Sequence, residues 1–266
     1  MKQTISYILA DPTGNLTCLA LDPVDKADRP AVTARLMGEC EQVGYLMAPR
    51  DPKAQIRLEM MGGEFCGNAS MAAATWVAER MHTEVGDSRQ LLLEVSGAEG
   101  LVPCRITREE GAWSGDVDMP VPTGVETREM LGRQVDIVYL PGIAHLVYAG
   151  GDLPKTEAEA LLEAAKELLP EQPALGVLIF DEKEKTMAPL VWVRDSDTQV
   201  WETSCGSGTI AVAYRWAARQ GRTVSINVYQ PGGAPRAEIQ WENGRATRAI
   251  LSGRVVLGKP KILSCG

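Results

Sequence analysis

The sequence predicts an α+β protein of two pseudo-symmetric domains, each a curved, mostly antiparallel sheet wrapped around one central helix. Three observations predict it. A window recurs: Cys66 to Arg80 and Cys205 to Arg219 both begin Cys-Gly and end in Arg, and alanines align at Ala72 with Ala211, Ala74 with Ala213 and Ala78 with Ala217. Short strand-like runs surround each window in a similar order. The chain of 266 residues also exceeds a typical single domain, so two units of about 130 residues are expected. A helix that is small and apolar most of the way round is usually buried, which makes the two alanine-rich windows the natural centres of their domains.

In the first half, Ile5–Ala10 and Leu16–Leu21 read as strands joined by the turn Pro12-Thr13-Gly14-Asn15. Pro30–Glu39 reads as a helix, and Gly44–Met47 and Gln55–Met60 as strands. Gly62-Gly63 breaks the chain before the helix that runs from Gly67 to about Met81. Leu91–Val95, Leu101–Ile106 and Trp113–Met119 follow as strands, and Pro120–Gly124 is the best linker. The second half opens with strands at Val135–Leu140 and His145–Tyr148 and an amphipathic helix at Glu157–Leu169. Strands at Gly176–Phe180 and Leu190–Val193 precede the Cys205 helix, which should stop at Gly221. Val224–Tyr229, Ala237–Trp241, Ala246–Leu251 and Val255–Leu257 complete the strands. The expected domains are 1–121, joined by a C-terminal strand within 253–266, and 122–252.

Composition narrows the class. A net charge of −8 argues against nucleic acid or an anionic membrane as the main partner. No apolar run approaches the roughly 20 residues needed to span a bilayer, and the N-terminal Met1–Ser6 turns polar too early for a signal peptide. A cytoplasmic location follows as the expectation, with reduced thiols. The six cysteines are widely spaced, with no CxxC and no Cys/His cluster, so neither a structural metal site nor a disulfide framework is expected. Cys18, Cys40 and Cys104 read as packing residues.

Cys66 and Cys205 read differently. The first N–H groups of a helix lack intrahelical partners and carry partial positive charge. A cysteine there is expected to have a lowered pKa, and a carboxylate can dock on the adjacent amides. Gly67, Gly206 and Gly208 leave the backbone open to a ligand. Two such helix starts in duplicated halves suit a free amino acid. One thiolate removes the Cα proton from one face and the other thiol protonates the opposite face, with no cofactor. Glu64 and Glu202, just before the two cysteines, are candidates for acid/base help or for holding the substrate amine.

Phe65-Cys66-Gly67-Asn68-Ala69 and Glu202-Thr203-Ser204-Cys205-Gly206-Ser207-Gly208-Thr209 resemble the two signature motifs of the diaminopimelate epimerase family. The resemblance implies a cofactor-independent isomerase, an amino-acid racemase or epimerase with two catalytic cysteines, and a homodimer as its assembly. It also implies substrate-binding roles for Asn15, which follows Gly14 as in the family's Gly-Asn, for Asn68 and Ser207, and for His145, which ends Leu140-Pro141-Gly142-Ile143-Ala144-His145 where the family has Gly-Asn-Pro-His. By that likeness His145 sits beside a catalytic cysteine and tunes its protonation. His82 reads as a solvated helix end.

Two departures bear on the substrate. Ile143 replaces the Asn of that segment, and Val193–Trp201 contains no Glu-Arg pair in register with the one that holds the distal centre of diaminopimelate. The residues around both cysteines are more similar to the histidine racemases of this fold, associated with metallophore biosynthesis, which implies histidine as substrate. Diaminopimelate or another amino acid is the alternative within the class, and a non-catalytic amino-acid-binding module the alternative outside it.

Overall fold

A computed structural model describes residues 3–195 and 197–265. Their elements, in chain order, are β1 (Gln3–Pro12), β2 (Thr17–Ala20), α1 (Arg29–Leu36), β3 (Gln42–Met47), β4 (Ile56–Met60), α2 (Gly67–Arg80), β5 (Ser88–Val95), β6 (Leu101–Glu109), β7 (Ala112–Met119), β8 (Gly124–Met130), β9 (Arg133–Leu140), β10 (Ile143–Tyr148), α3 (Lys155–Leu168), β11 (Ala174–Asp181), β12 (Thr186–Val193), β13 (Thr198–Trp201), α4 (Gly206–Gln220), β14 (Val224–Asn227), β15 (Arg236–Glu242), β16 (Arg245–Leu257) and β17 (Lys261–Cys265). Met1–Asp118 with Ser252–Gly266 form one compact unit, and Met119–Leu251 form the second. Strand β16 contributes its first part to the second unit and its last part to the first. No helix among the described residues is long and apolar enough to cross a membrane.

In the first unit the strands run β16-β7-β6-β5-β4-β3-β2-β1, and Val255–Leu257 of β16 pair back onto Pro12–Ala10 of β1. Eight strands thus close on themselves, with β17 added outside β1. The β2–β3 and β4–β5 pairs are parallel. Helix α2 packs against β1, β2, β4, β5 and β6, and most of its residues are buried. Its alanines have high helix propensity and little width, so strands approach from several sides. Gly115 of β7 shows how tight this is: a Cβ there would lie 2.5 Å from Met71 Cγ of α2. On the other face of β1–β3, Ile5, Tyr7, Cys18, Val43 and Tyr45 pack with Val32 and Leu36 of α1.

The second unit is built differently. Six strands form an open sheet in the order β13-β12-β11-β10-β9-β8, with β10 and β11 parallel. Side chains alternate across the sheet. Ala144, Leu146, Leu175 and Val177 meet Ala158, Leu161, Leu162 and Ala165 of α3, a stripe at i, i+3, i+4 and i+7. The opposite face carries His145 and Leu178 and receives α4, which also touches β14 and β15. Gly221 ends α4 in the left-handed conformation, φ 62°, as the sequence indicates.

Several expectations need correction. Ala246–Leu251 and Val255–Leu257 are one strand, β16, whose extended backbone continues through Gly253 without a turn. The strand expected to reach Tyr229 ends at Asn227. Strands β8 and β13 were not foreseen; both are sheet edges with largely polar or exposed side chains, and so lack the apolar alternation that marks a half-buried strand. A sheet wrapped around a helix describes the first unit; in the second, the large sheet is open and a helix packs on each face.

One buried ionic cluster fixes α4 to the open sheet. Arg215 of α4 and Asp136 of β9 are ion-paired, with side chains 4% and 6% exposed, and Glu182 and Arg219 extend the cluster. Burial alone would raise the Asp136 carboxyl; the hydroxyl of Thr127 and the guanidinium of Arg215 together hold it below its ordinary value. Arg215→Ala leaves a buried carboxylate without its main partner and is expected to cost about 3–5 kcal/mol in urea unfolding; a loss under about 1 kcal/mol contradicts this. Because the folded pKa is depressed, the pair's stabilisation is present above the unfolded value near 3.9 and disappears as pH falls through the folded one. The difference between the wild-type protein and the variant should therefore shrink in acid.

Candidate active site

Both signature cysteines are helix N-caps. Cys66 caps α2 with extended backbone (φ −132°, ψ 113°), and its sulfur accepts the Ala69 N–H at 3.4 Å. Cys205 caps α4 in the same way (φ −111°, ψ 109°), its sulfur accepting the Gly208 N–H at 3.4 Å. The likeness continues one turn on: Ser70 Oγ donates to the Cys66 carbonyl and Thr209 Oγ1 to the Cys205 carbonyl, each at 2.7 Å. Ser, Thr, Asp and Asn are the favoured N-caps. Sulfur is a weaker acceptor, so helix stability does not account for cysteine at both starts.

The surroundings of the two sulfurs differ. Cys66 is part-buried and donates to Gln42 Oε1 at 3.1 Å. Gln42 Nε2 in turn donates to Asn15 Oδ1 and, at 2.8 Å, to Thr17 Oγ1, while Asn15 Nδ2 donates to Glu41 Oε2 at 3.0 Å. The parallel β2–β3 register, Thr17 opposite Gln42, creates this network. It brings the predicted Asn15 to within one side chain of Cys66.

Cys205 is buried. Its N–H donates to Gln230 Oε1 at 2.7 Å, and Gln230 Nε2 donates to Thr209 Oγ1 at 2.9 Å. Its sulfur lies 3.5 Å from Ser207 Oγ, which lies 2.9 Å from His145 Nε2. His145 therefore reaches Cys205 through Ser207. The imidazole is fully buried, and burial pushes its pKa down to about 3, so the ring is neutral at physiological pH. Its Nδ1 has no hydrogen-bond partner and sits over Gly176 of β11, where a Cβ would lie 2.1 Å away. Only glycine leaves room for the ring there.

The helix start was expected to lower the thiol pKa. For Cys205 the opposite holds. Burial raises it well above the ordinary thiol value and the nearby Glu202 carboxylate adds to this, outweighing the Ser207 hydroxyl and the Gly208 amide, which favour the thiolate. Cys205 rests as a thiol. Glu64, two residues before Cys66, is also held up by burial, and its Oε2 is buried without a hydrogen-bond partner. Gly67, Asn68 and Gly206 are buried in the first helical turns beside the sulfurs. A Cβ at Gly208 would lie 2.9 Å from Leu178 and 3.3 Å from the Cys205 sulfur, so glycine lets α4 seat on the sheet and its amide reach the thiol.

Three residues beside the motifs were not foreseen. Gln42 and Gln230 lie far from their cysteines in sequence, and Gly176 is explained only by the ring opposite it in the β10–β11 register. None carries a local signal. Among the described residues, no group of three or more His, Cys, Asp or Glu is arranged to hold a metal ion.

Residues 4–259 match the family described as the histidine racemase CntK N-terminal domain. A histidine racemase of Fusobacterium nucleatum is 30% identical over 97% of this chain and 98% of its own length. A histidine racemase of Staphylococcus aureus is 27% identical over 88% of each chain. The fold is shared with a hydroxyproline epimerase from Agrobacterium vitis, at a TM-score of 0.71 and 16% identity, covering 99% of this chain and 94% of that one. The chain belongs to the histidine racemase family and is an isomerase of the racemase and epimerase class.

Proposed function

We propose that this racemase interconverts L- and D-histidine without a cofactor, with Cys66 and Cys205 as the two acid/base groups. The observation that carries the proposal is the repeated placement of a thiol at a helix N-cap, in each case against a polar network that addresses the sulfur. Relatives over nearly the whole chain length that are named histidine racemases support the substrate. Ile143, in place of the asparagine that diaminopimelate epimerases use, fits a substrate without a second amino-acid centre.

In this reading the substrate carboxylate is held by helix-start amides of the kind found at Gly67, Asn68, Gly206 and Ser207, where the helix ends carry partial positive charge. Glu64 and Glu202 receive the ammonium. The Cα–H is a very weak acid, so the carbanionic transition state depends on preorganised donors at the carboxylate and on exclusion of water. Cys205 enters as the thiol that its burial dictates and delivers its proton to one face of Cα, while Cys66, once it has given up the proton it shares with Gln42, takes the proton from the other. The reverse reaction exchanges these roles. His145 acts through Ser207. With Nδ1 unpartnered, the less costly tautomer keeps the proton on Nε2, since an orphaned acceptor is better tolerated than an orphaned N–H. Nε2–H then donates to Ser207, whose own O–H is free to donate to the Cys205 thiolate when it forms.

The same reading places the enzyme in the cytoplasm, where thiols stay reduced, acting on a free amino acid. It treats the two units as diverged epimerase-like halves of the kind found in the diaminopimelate epimerase fold, and takes a homodimer as the assembly.

Two sets of variants test it. Cys66→Ser and Cys205→Ser should each retain the folded far-UV spectrum and lose about 10²–10⁴-fold in kcat for histidine racemisation; either variant within tenfold of wild type contradicts a two-thiol mechanism. Gly176→Ala forces a methyl against the His145 ring, costing about 1–3 kcal/mol of stability. It should lower kcat more than it raises KM, because Ser207 loses its donor. Unchanged kcat in a folded Gly176→Ala protein contradicts the positioning role of His145.

A further inference from the structure

Cys18 and Cys40 lie outside the catalytic reading, yet the fold brings them together. Cys18 is on β2 and Cys40 is in the turn between α1 and β3. Both sulfurs address one carbonyl, that of Leu36, at 4.0 Å for Cys18 and 3.3 Å for Cys40, and Cys40 packs against the buried cluster that contains Cys18. The Glu41 N–H donates to the Leu16 carbonyl at 2.8 Å, fixing the Cys40 turn against the start of β2. The pair is asymmetric. Cys18 is fully buried and Cys40 is part-exposed.

We propose that Cys18 and Cys40 form a peroxide-reactive dithiol that closes a reversible disulfide. Cys40 is the attacking sulfur, being the one that solvent reaches. Its thiolate is also the better stabilised, through the Cys18 side chain and the Cys18 and Gln42 amides, whereas Cys40 and then burial push the Cys18 thiol up. The Cys40 thiolate attacks the O–O bond of hydrogen peroxide, giving a sulfenic acid and, with a proton, one water. The Cys18 thiol then attacks that sulfur, forming the S–S bond and releasing a second water. Two thiols are oxidised by two electrons and one peroxide is reduced to two waters. In a reducing compartment such a bond is transient and reversible by small thiols. Its position has a consequence: Thr17 precedes Cys18, and Gln42 lies two residues after Cys40. These are the residues whose side chains meet each other and, through Gln42, the Cys66 sulfur.

The test is non-reducing peptide mapping of the full-length reduced protein after graded hydrogen peroxide and alkylation, a readout that does not depend on the racemase assignment. The expected result is a Cys18–Cys40 linked peptide that dithiothreitol reverses, with buried Cys104 unlinked. In Cys18→Ser, Cys40 should instead proceed to sulfinic acid. Wild-type Cys40 that goes directly to sulfinic acid, links to another cysteine, or stays a thiol together with Cys18 after Cys66 and Cys205 have oxidised overturns the proposal.

Discussion

A sulfur capping the first turn of a buried helix is the contact on which the candidate site depends. In each unit it needs three things at once: an extended residue ahead of the helix, a small residue three positions later whose amide can reach the sulfur, and a helix thin enough to be surrounded. The alanine-rich sequences of α2 and α4 supply the last. Ala69 and Gly208 supply the second, and both sulfurs accept at 3.4 Å. The packing around the helices follows from this need. Gly115 makes way for Met71 in the closed ring, and Gly208 lets α4 meet Leu178 on the open sheet. Burial of Arg215 against Asp136 then ties α4 to β9.

Burial sets the chemistry against the simplest expectation. A helix start attracts negative charge, but by only about 0.3–1 kcal/mol at an exposed site, whereas full desolvation can move a pKa by several units. At Cys205 desolvation wins and the proton stays on the sulfur. In the proposed mechanism this is useful rather than contrary, since one of the two groups has to begin as the acid. The neutral, buried His145 fits the same logic. A charged imidazole would itself be costly in that position, and a neutral ring acting through Ser207 can steady a thiolate without adding a second proton to be managed.

The readable part of the molecule was the part governed by local sequence. The two Cys-Gly starts, the alanine faces, the Gly221 stop and the stripe of α3 each have a short-range physical cause, and the elements they predict are present. What escaped depends on pairing between distant strands. Gln42 meets Cys66 because β2 and β3 run parallel in one register, and Gly176 matters only because His145 lies beside it in the β10–β11 pair. Edge strands β8 and β13 escaped for a related reason: with largely polar or exposed side chains, they carry no apolar alternation. The approach of Cys18 and Cys40 to the one Leu36 carbonyl is likewise created by the fold, and nothing in their spacing announces it.

The claim that two monoprotic thiols act on opposite faces of Cα is tested most directly by isotope entry during turnover. L-Histidine is incubated with the reduced enzyme in D₂O, and both enantiomers are separated and analysed early in the reaction. A thiol that takes the Cα proton returns the same proton on reversal, while the opposite thiol, equilibrated with solvent, delivers deuterium. The account predicts newly formed D-histidine that carries deuterium at Cα while the remaining L-histidine is still protiated, and the mirror result from D-histidine. Deuterium entering the starting enantiomer as fast as product forms, or product that retains the substrate's own proton, would contradict it.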